Sequence, residues 1–161
     1  MLRRNFLALS VMLPLTGGVL ADQKVWRIAY LHPGFLDNPS DKALLDAFKS
    51  ELVSLGYEEG RNYLLFARGA RGNGASLSEL AQQLVALRPD IIVAVATAAV
   101  AAAQQATRSI PILMTPATDP VGSGFVKTLA EPGGNITGLG NMFIRSDGKI
   151  SRASSHDHTC S

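Results

Sequence analysis

Arg88–Pro120 reads RPDIIVAVATAAVAAAQQATRSIPILMTPATDP, and the fold follows from it. Ile91, Ile92, Val93 and Val95 form a short, mostly β-branched apolar run behind a Pro-Asp pair. Such a run suits a parallel strand buried on both faces. Ala98–Ala106 is rich in alanine, which favours a helix thin enough to lie close against a sheet. Ile110–Met114 is a second apolar run, and Thr115–Pro120 reads as a polar loop. The unit is βαβ, with both strands ending at one edge of the sheet. In open α/β sheets that edge binds ligands.

The same pattern extends to both sides. Val25–His32 is expected as a first strand, followed by a turn-rich loop, Pro33–Ser40. Leu44, Leu45, Phe48, Leu52 and Leu55 recur at helical spacing within Asp41–Leu55, with Asn38 or Ser40 as the cap and Gly56 as the stop. Asn62–Ala67 is a second strand and Gly69–Ser76 a glycine-rich loop. That loop lacks the ending and spacing of a phosphate cradle. Leu77, Leu80, Leu84 and Leu87 define the next helix, stopped by Pro89. After the central unit, Val121–Ala130 is expected as a helix, Glu131–Gly134 as a turn and Asn135–Leu139 as a fifth strand. The alternation predicts an α/β fold, a doubly wound and mostly parallel sheet of about five strands in the order 2-1-3-4-5.

The 161 residues suit one domain, and the composition, 47% hydrophobic with 17% charged, is that of a folded α/β protein. Formal net charge is +2, but two of the cations, Arg3 and Arg4, lie in a leader-like start. Residues 22–161 carry thirteen basic and thirteen acidic side chains. With no basic stripe, nucleic-acid binding is not expected. Met1–Ala21 has a positive start, a short apolar run Phe6–Leu15 and small residues Val19 and Ala21 before a cut at Asp22. It is expected to be a signal peptide directing export to the periplasm by a general or twin-arginine route.

Several blocks stand in register. They are RIAYL at 27–31, LGYEEGRN at 55–62, RPDIIVA at 88–94, SIPI at 109–112, TDPVG at 118–122 and PGGNITG at 132–138. Together they resemble the substrate-binding protein family of ABC transporters that includes the tryptophan/tyrosine-type binding proteins. The resemblance covers about residues 1–142. It implies a periplasmic-binding-protein fold of two lobes closing on a small molecule, with an amino acid as one candidate. It also implies a membrane permease as partner, no cofactor and no enzymatic activity. Residues 22–142 then form the amino-terminal lobe, and the second lobe is missing. Residues 143–161 diverge from the family, and a truncated or frame-shifted product is the expectation. The alternative is a small flavodoxin-like enzyme or nucleotide-binding module, but the first loop, PGFLDNPS, has no glycine cradle.

Candidate ligand-binding residues lie where the loops converge. Thr97 and Ala98 open the alanine-rich helix, whose first N–H groups and positive dipole end favour a carboxylate. Thr97 serves there as ligand hydroxyl, as N-cap, or as both. Thr115, Thr118 and Asp119 follow strand four. Asp119 either meets an ammonium group or caps a helix starting near Val121. Phe35 in the first loop either stacks on a ligand or packs inward. His32 is expected to be structural. No nucleophile elbow or acid–base pair points to catalysis. His156, His158 and Cys160 are too few for a structural zinc site.

Overall fold

The computed structural model describes residues 24–141. The proposed leader cut and the His156–Cys160 cluster lie outside the described residues. Five strands form one parallel sheet: β1 Trp26–His32, β2 Tyr63–Gly69, β3 Ile91–Val95, β4 Ile112–Thr118 and β5 Ile136–Asn141. Their spatial order is β2-β1-β3-β4-β5, as the alternation predicts. The helices are α1 Pro39–Ser54, α2 Leu77–Ala86, preceded by a short 3₁₀ turn at Gly74–Ser76, and α3 Ala96–Ala106.

Two apolar layers hold the sheet. On one face, α2 and α3 pack Leu77, Ala81, Leu84, Ala99, Val100 and Ala103 over Ala29, Leu31, Ile92, Ala94, Ile112 and Met114. Ala99 and Ala103 have no solvent exposure, so the small side chains of α3 let it lie close to the strands. On the other face α1 covers Ile28, Tyr30, Val93 and Val95 with Leu45, Phe48 and Leu52. Its apolar stripe is only partly used, because Leu44 and Leu55 remain 46% and 66% exposed. At β5, the register needs a glycine. Gly138 pairs with Met114, adopts φ +133°, and a Cβ there would collide with the Met114 backbone.

Three sequence expectations are corrected. The expected helix at Val121–Ala130 is a series of turns. Gly122 and Gly124 weaken any helix there, and Gly124 takes φ +72°. Phe125 and Val126 nevertheless reach the core. Strand four starts at Ile112 and runs to Thr118, so Thr115 and Thr118 lie within a strand and not in the loop expected from Thr115. The extension is set from outside: Ala117 and Thr118 pair with Gly140 and Asn141 of β5, past an irregularity between Met114 and Ala117. Finally, α3 begins at Ala96, directly after β3, with no intervening loop.

Candidate functional site

The carboxyl edge of the sheet is built from the ends of β1, β3 and β4 and the segment after β2. Strain concentrates there. Among the described residues four non-glycines take positive φ, and three of them, Arg71, Ala96 and Asp119, sit at this edge with φ +53°, +64° and +42°. The fourth, Arg88, follows α2 at the opposite edge. Left-handed backbone costs a non-glycine residue about 1 kcal/mol or more, and such strain gathers at binding and switch regions.

Ala96 makes the abrupt turn from β3 into α3. Val95 occupies the cap position, and no side chain caps the helix. Thr97 is therefore not the N-cap. Its Oγ1 instead accepts a hydrogen bond from Thr118 N–H at 3.0 Å, joining the start of α3 to the end of β4. A hydroxyl used as acceptor keeps its own proton to donate. The first-turn N–H groups, with exposed Ala98 beside them, are left open to an anion. Asp119 caps no helix, because none follows. Its Oδ1 accepts from Gly122 N–H at 3.0 Å and closes a local turn.

Phe35 stands apart from this group, on the β1 side. Its ring is 40% exposed, and the Arg71 guanidinium lies 5.3 Å from its centroid. Beside it, Leu36, Asp37, Gly69 and Arg71 line a recess of about 310 Å³. Thr115 is placed differently again. It pairs with Val95 and faces the α1 side, where it joins Tyr30, Phe48, Val93 and Pro116 around an apolar recess of about 230 Å³. The structure thus brings Thr97, Ala98, Thr118 and Asp119 together, sets Phe35 on a neighbouring loop and separates Thr115 from both.

His32 is structural, as expected; the sequence reading missed what Gly34 and Asp41 do at this edge, and Arg71 lies in the glycine-rich loop expected after β2. His32 is buried, and its Nδ1 accepts from Gly34 N–H at 2.9 Å. Asp41 Oδ2 accepts from Phe35 N–H, also at 2.9 Å. An acidic residue in the first turn of a helix, a few positions after a Pro-Gly pair, is the signal that was available for Asp41. A larger apolar recess, about 400 Å³, opens at the opposite, amino edge between Trp26, Leu52, Tyr57 and Ile91. Its one carboxylate, Asp90, is already engaged by Lys24 Nζ at 2.7 Å and Arg27 N–H at 2.8 Å, leaving little to orient a polar ligand.

Comparison with known proteins bears on the lobe as a whole. The family described as ABC transporter substrate binding protein matches residues 33–151. A tyrosine-binding protein of Clostridioides difficile is 36% identical over 103 residues, which are 64% of this chain and 30% of that protein. A conserved domain protein of Vibrio cholerae has a TM-score of 0.68 at 37% identity, covering 73% of this chain and 39% of that one. The ligand-free, open form of a substrate-binding protein with adhesive properties from Clostridium difficile also scores 0.68, at 31% identity, with 77% and 41% covered. A Streptococcus pneumoniae domain in complex with L-Trp scores 0.67 at 29% identity, with 73% and 39% covered. The chain thus spans less than half the length of these relatives. With a family match over most of its length and the same α/β lobe, the chain belongs to the ABC transporter substrate-binding protein family.

Proposed function

We propose that this chain captures an amino acid with an aromatic side chain at the carboxyl edge of its sheet, as one wall of a ligand cleft. The observation that carries the reading is the uncapped start of α3, tied by Thr97 to Thr118, with the exposed Phe35 on a neighbouring loop of the same edge. In this reading the first-turn N–H groups of α3 and the Thr97 hydroxyl receive the ligand carboxylate. Thr118 and Asp119 stand beside them, with Asp119 meeting the ammonium group, and Phe35 offers a ring to the side chain. Thr115, on the α1 side, takes no part. The names of the relatives support an aromatic ligand: one is a tyrosine-binding protein and one carries L-Trp.

The wider role is that of the solute-capturing component of an importer that delivers to a membrane permease. Residues 1–21 act as the export signal and residues 22–142 as the amino-terminal lobe. Small ligands are bound tightly when most of their surface is buried, and one cleft wall buries only part of it. Affinity of this chain alone is therefore expected to be weaker than about 1 µM. Amide chemical shifts recorded during titration with L-tyrosine, L-tryptophan and L-lysine test the reading. Shifts at Thr97, Ala98 and Thr118 with the aromatic amino acids and not with lysine are expected. Absence of those shifts, or sub-micromolar binding in calorimetry, would overturn it.

A further inference from the structure

Loop tips normally leave their backbone groups to water, but Pro33–Phe35 do not. Phe35 N–H donates to Asp41 Oδ2 at 2.9 Å, and Phe35 C=O accepts from Asn38 N–H at 3.1 Å. Gly34 N–H donates to His32 Nδ1 at 2.9 Å. On the other side the loop is laced to the segment after β2. Ala70 N–H donates to His32 C=O, Arg71 N–H to Gly34 C=O and Gly72 N–H to Pro33 C=O, each at 2.9 Å. His32 is itself fixed, 6% exposed and stacked on Tyr30 with the rings 1° from parallel. Position 34 has no room for a side chain. A Cβ there would run into the Asp41 carboxylate and stand 3.1 Å from His32 Cε1. Phe35, itself 40% exposed, is thus carried on a Pro33–Phe35 backbone whose N–H and C=O groups are all engaged.

Rigid support of an exposed ring lowers the ordering cost of a contact made through that ring. We propose that Asp41, with His32, is a positioning residue that locks the Pro33–Phe35 loop and holds the Phe35 ring ready for the ligand. The inference rests on Phe35 facing the ligand, as proposed above. The Asp41 carboxylate acts only through the Phe35 amide and touches no ligand. The neighbouring acid on the same helix, Asp46, pairs with Lys42 at the exposed surface and serves as a control.

The test uses the full chain with Asp41→Ala, Asp41→Asn and Asp46→Ala, together with His32→Asn, which keeps an acceptor near the position of Nδ1. Residue-resolved amide exchange reads the lock directly, without ligand. Asp41→Ala is expected to speed exchange at Phe35 about tenfold, the scale of one charge-assisted hydrogen bond, while Tyr30 and Leu31 in β1 stay protected. Asp41→Asn restores most of the protection, Asp46→Ala leaves it unchanged, and His32→Asn keeps Gly34 protected. In the same samples, L-tyrosine titration of Asp41→Ala is expected to need several-fold more ligand while the fold is kept and the melting temperature falls by only a few degrees, with rescue of both by Asn. Unchanged Phe35 exchange in Asp41→Ala would overturn the lock, as would ligand binding unaltered by a loosened loop. If the wild-type chain shows no response to L-tyrosine or L-tryptophan while the exchange pattern holds, the ligand reading fails and the lock stands as structure alone, so the positioning role falls with it.

Discussion

Tyr30 shows how far a single residue can depart from its sequence neighbourhood. It lies within β1, 2% exposed, between His32 and Phe48, and its hydroxyl has no hydrogen-bond partner among the described residues. Burial, with a smaller push from the Asp41 charge, raises its pKa from about 10 to about 12. The sign follows from linkage. Because the folded pKa is the higher one, the contribution of the neutral phenol is complete below pH 10 and is lost as pH rises through about 12. An unpartnered buried hydroxyl also costs stability at neutral pH. Tyr30→Phe is therefore expected to leave stability unchanged or raise it by up to about 1 kcal/mol at pH 8. It should also remove one component of the alkaline fall in melting temperature. Thermal melts at pH 8 and pH 11 read both effects. A clear loss of stability at pH 8 would mean that the hydroxyl is satisfied after all.

At the scale of elements, α3 and β4 depend on one another at their ends. Periodicity locates the body of each, but the Thr97–Thr118 bond joins residues 21 apart in sequence. Thr97→Val keeps the shape of the side chain and removes the acceptor for Thr118 N–H. It is expected to cost about 1 kcal/mol and to speed amide exchange at Thr118, whereas Thr97→Ser keeps both near wild type. A chemical melt combined with exchange at Thr118 distinguishes the two variants. Loss of stability in the serine variant as well would assign the cost to the lost methyl packing. The missing fourth helix is a failure of the same kind. Val121, Phe125 and Leu129 have helical spacing, yet Leu129 is 50% exposed and the glycines between them favour turns. Apolar spacing reports which side chains seek the core and leaves open the backbone route by which they arrive.

Across the whole molecule, the two edges of the sheet divide the work. The carboxyl edge carries three of the four strained non-glycine residues described and the open helix start. At the amino edge Asp90 ties β1 to β3: its carboxylate accepts from Arg27 N–H while its own N–H donates to Arg27 C=O, both at 2.8 Å. The Lys24 ammonium and this backbone bond hold its pKa below the ordinary carboxylate value. A depressed folded pKa means stability that is full above the ordinary carboxylate value and is lost as pH falls through the lower one. Asp90→Asn is expected to cost about 1–2 kcal/mol at pH 7, with the gap to wild type narrowing below about pH 4. Denaturant melts at pH 7 and pH 3 check this, and a gap that widens in acid would contradict it. Among residues 24–141, the five strands, their order and the three helices were legible in the chain, because burial on a sheet or helix leaves a local period. Where β4 ends, what Thr97 holds, on which face Thr115 lies and how Asp41 reaches Phe35 could be read only from the folded chain. Those outcomes rest on pairing between distant segments, and a hydrogen bond across loops leaves no period to read.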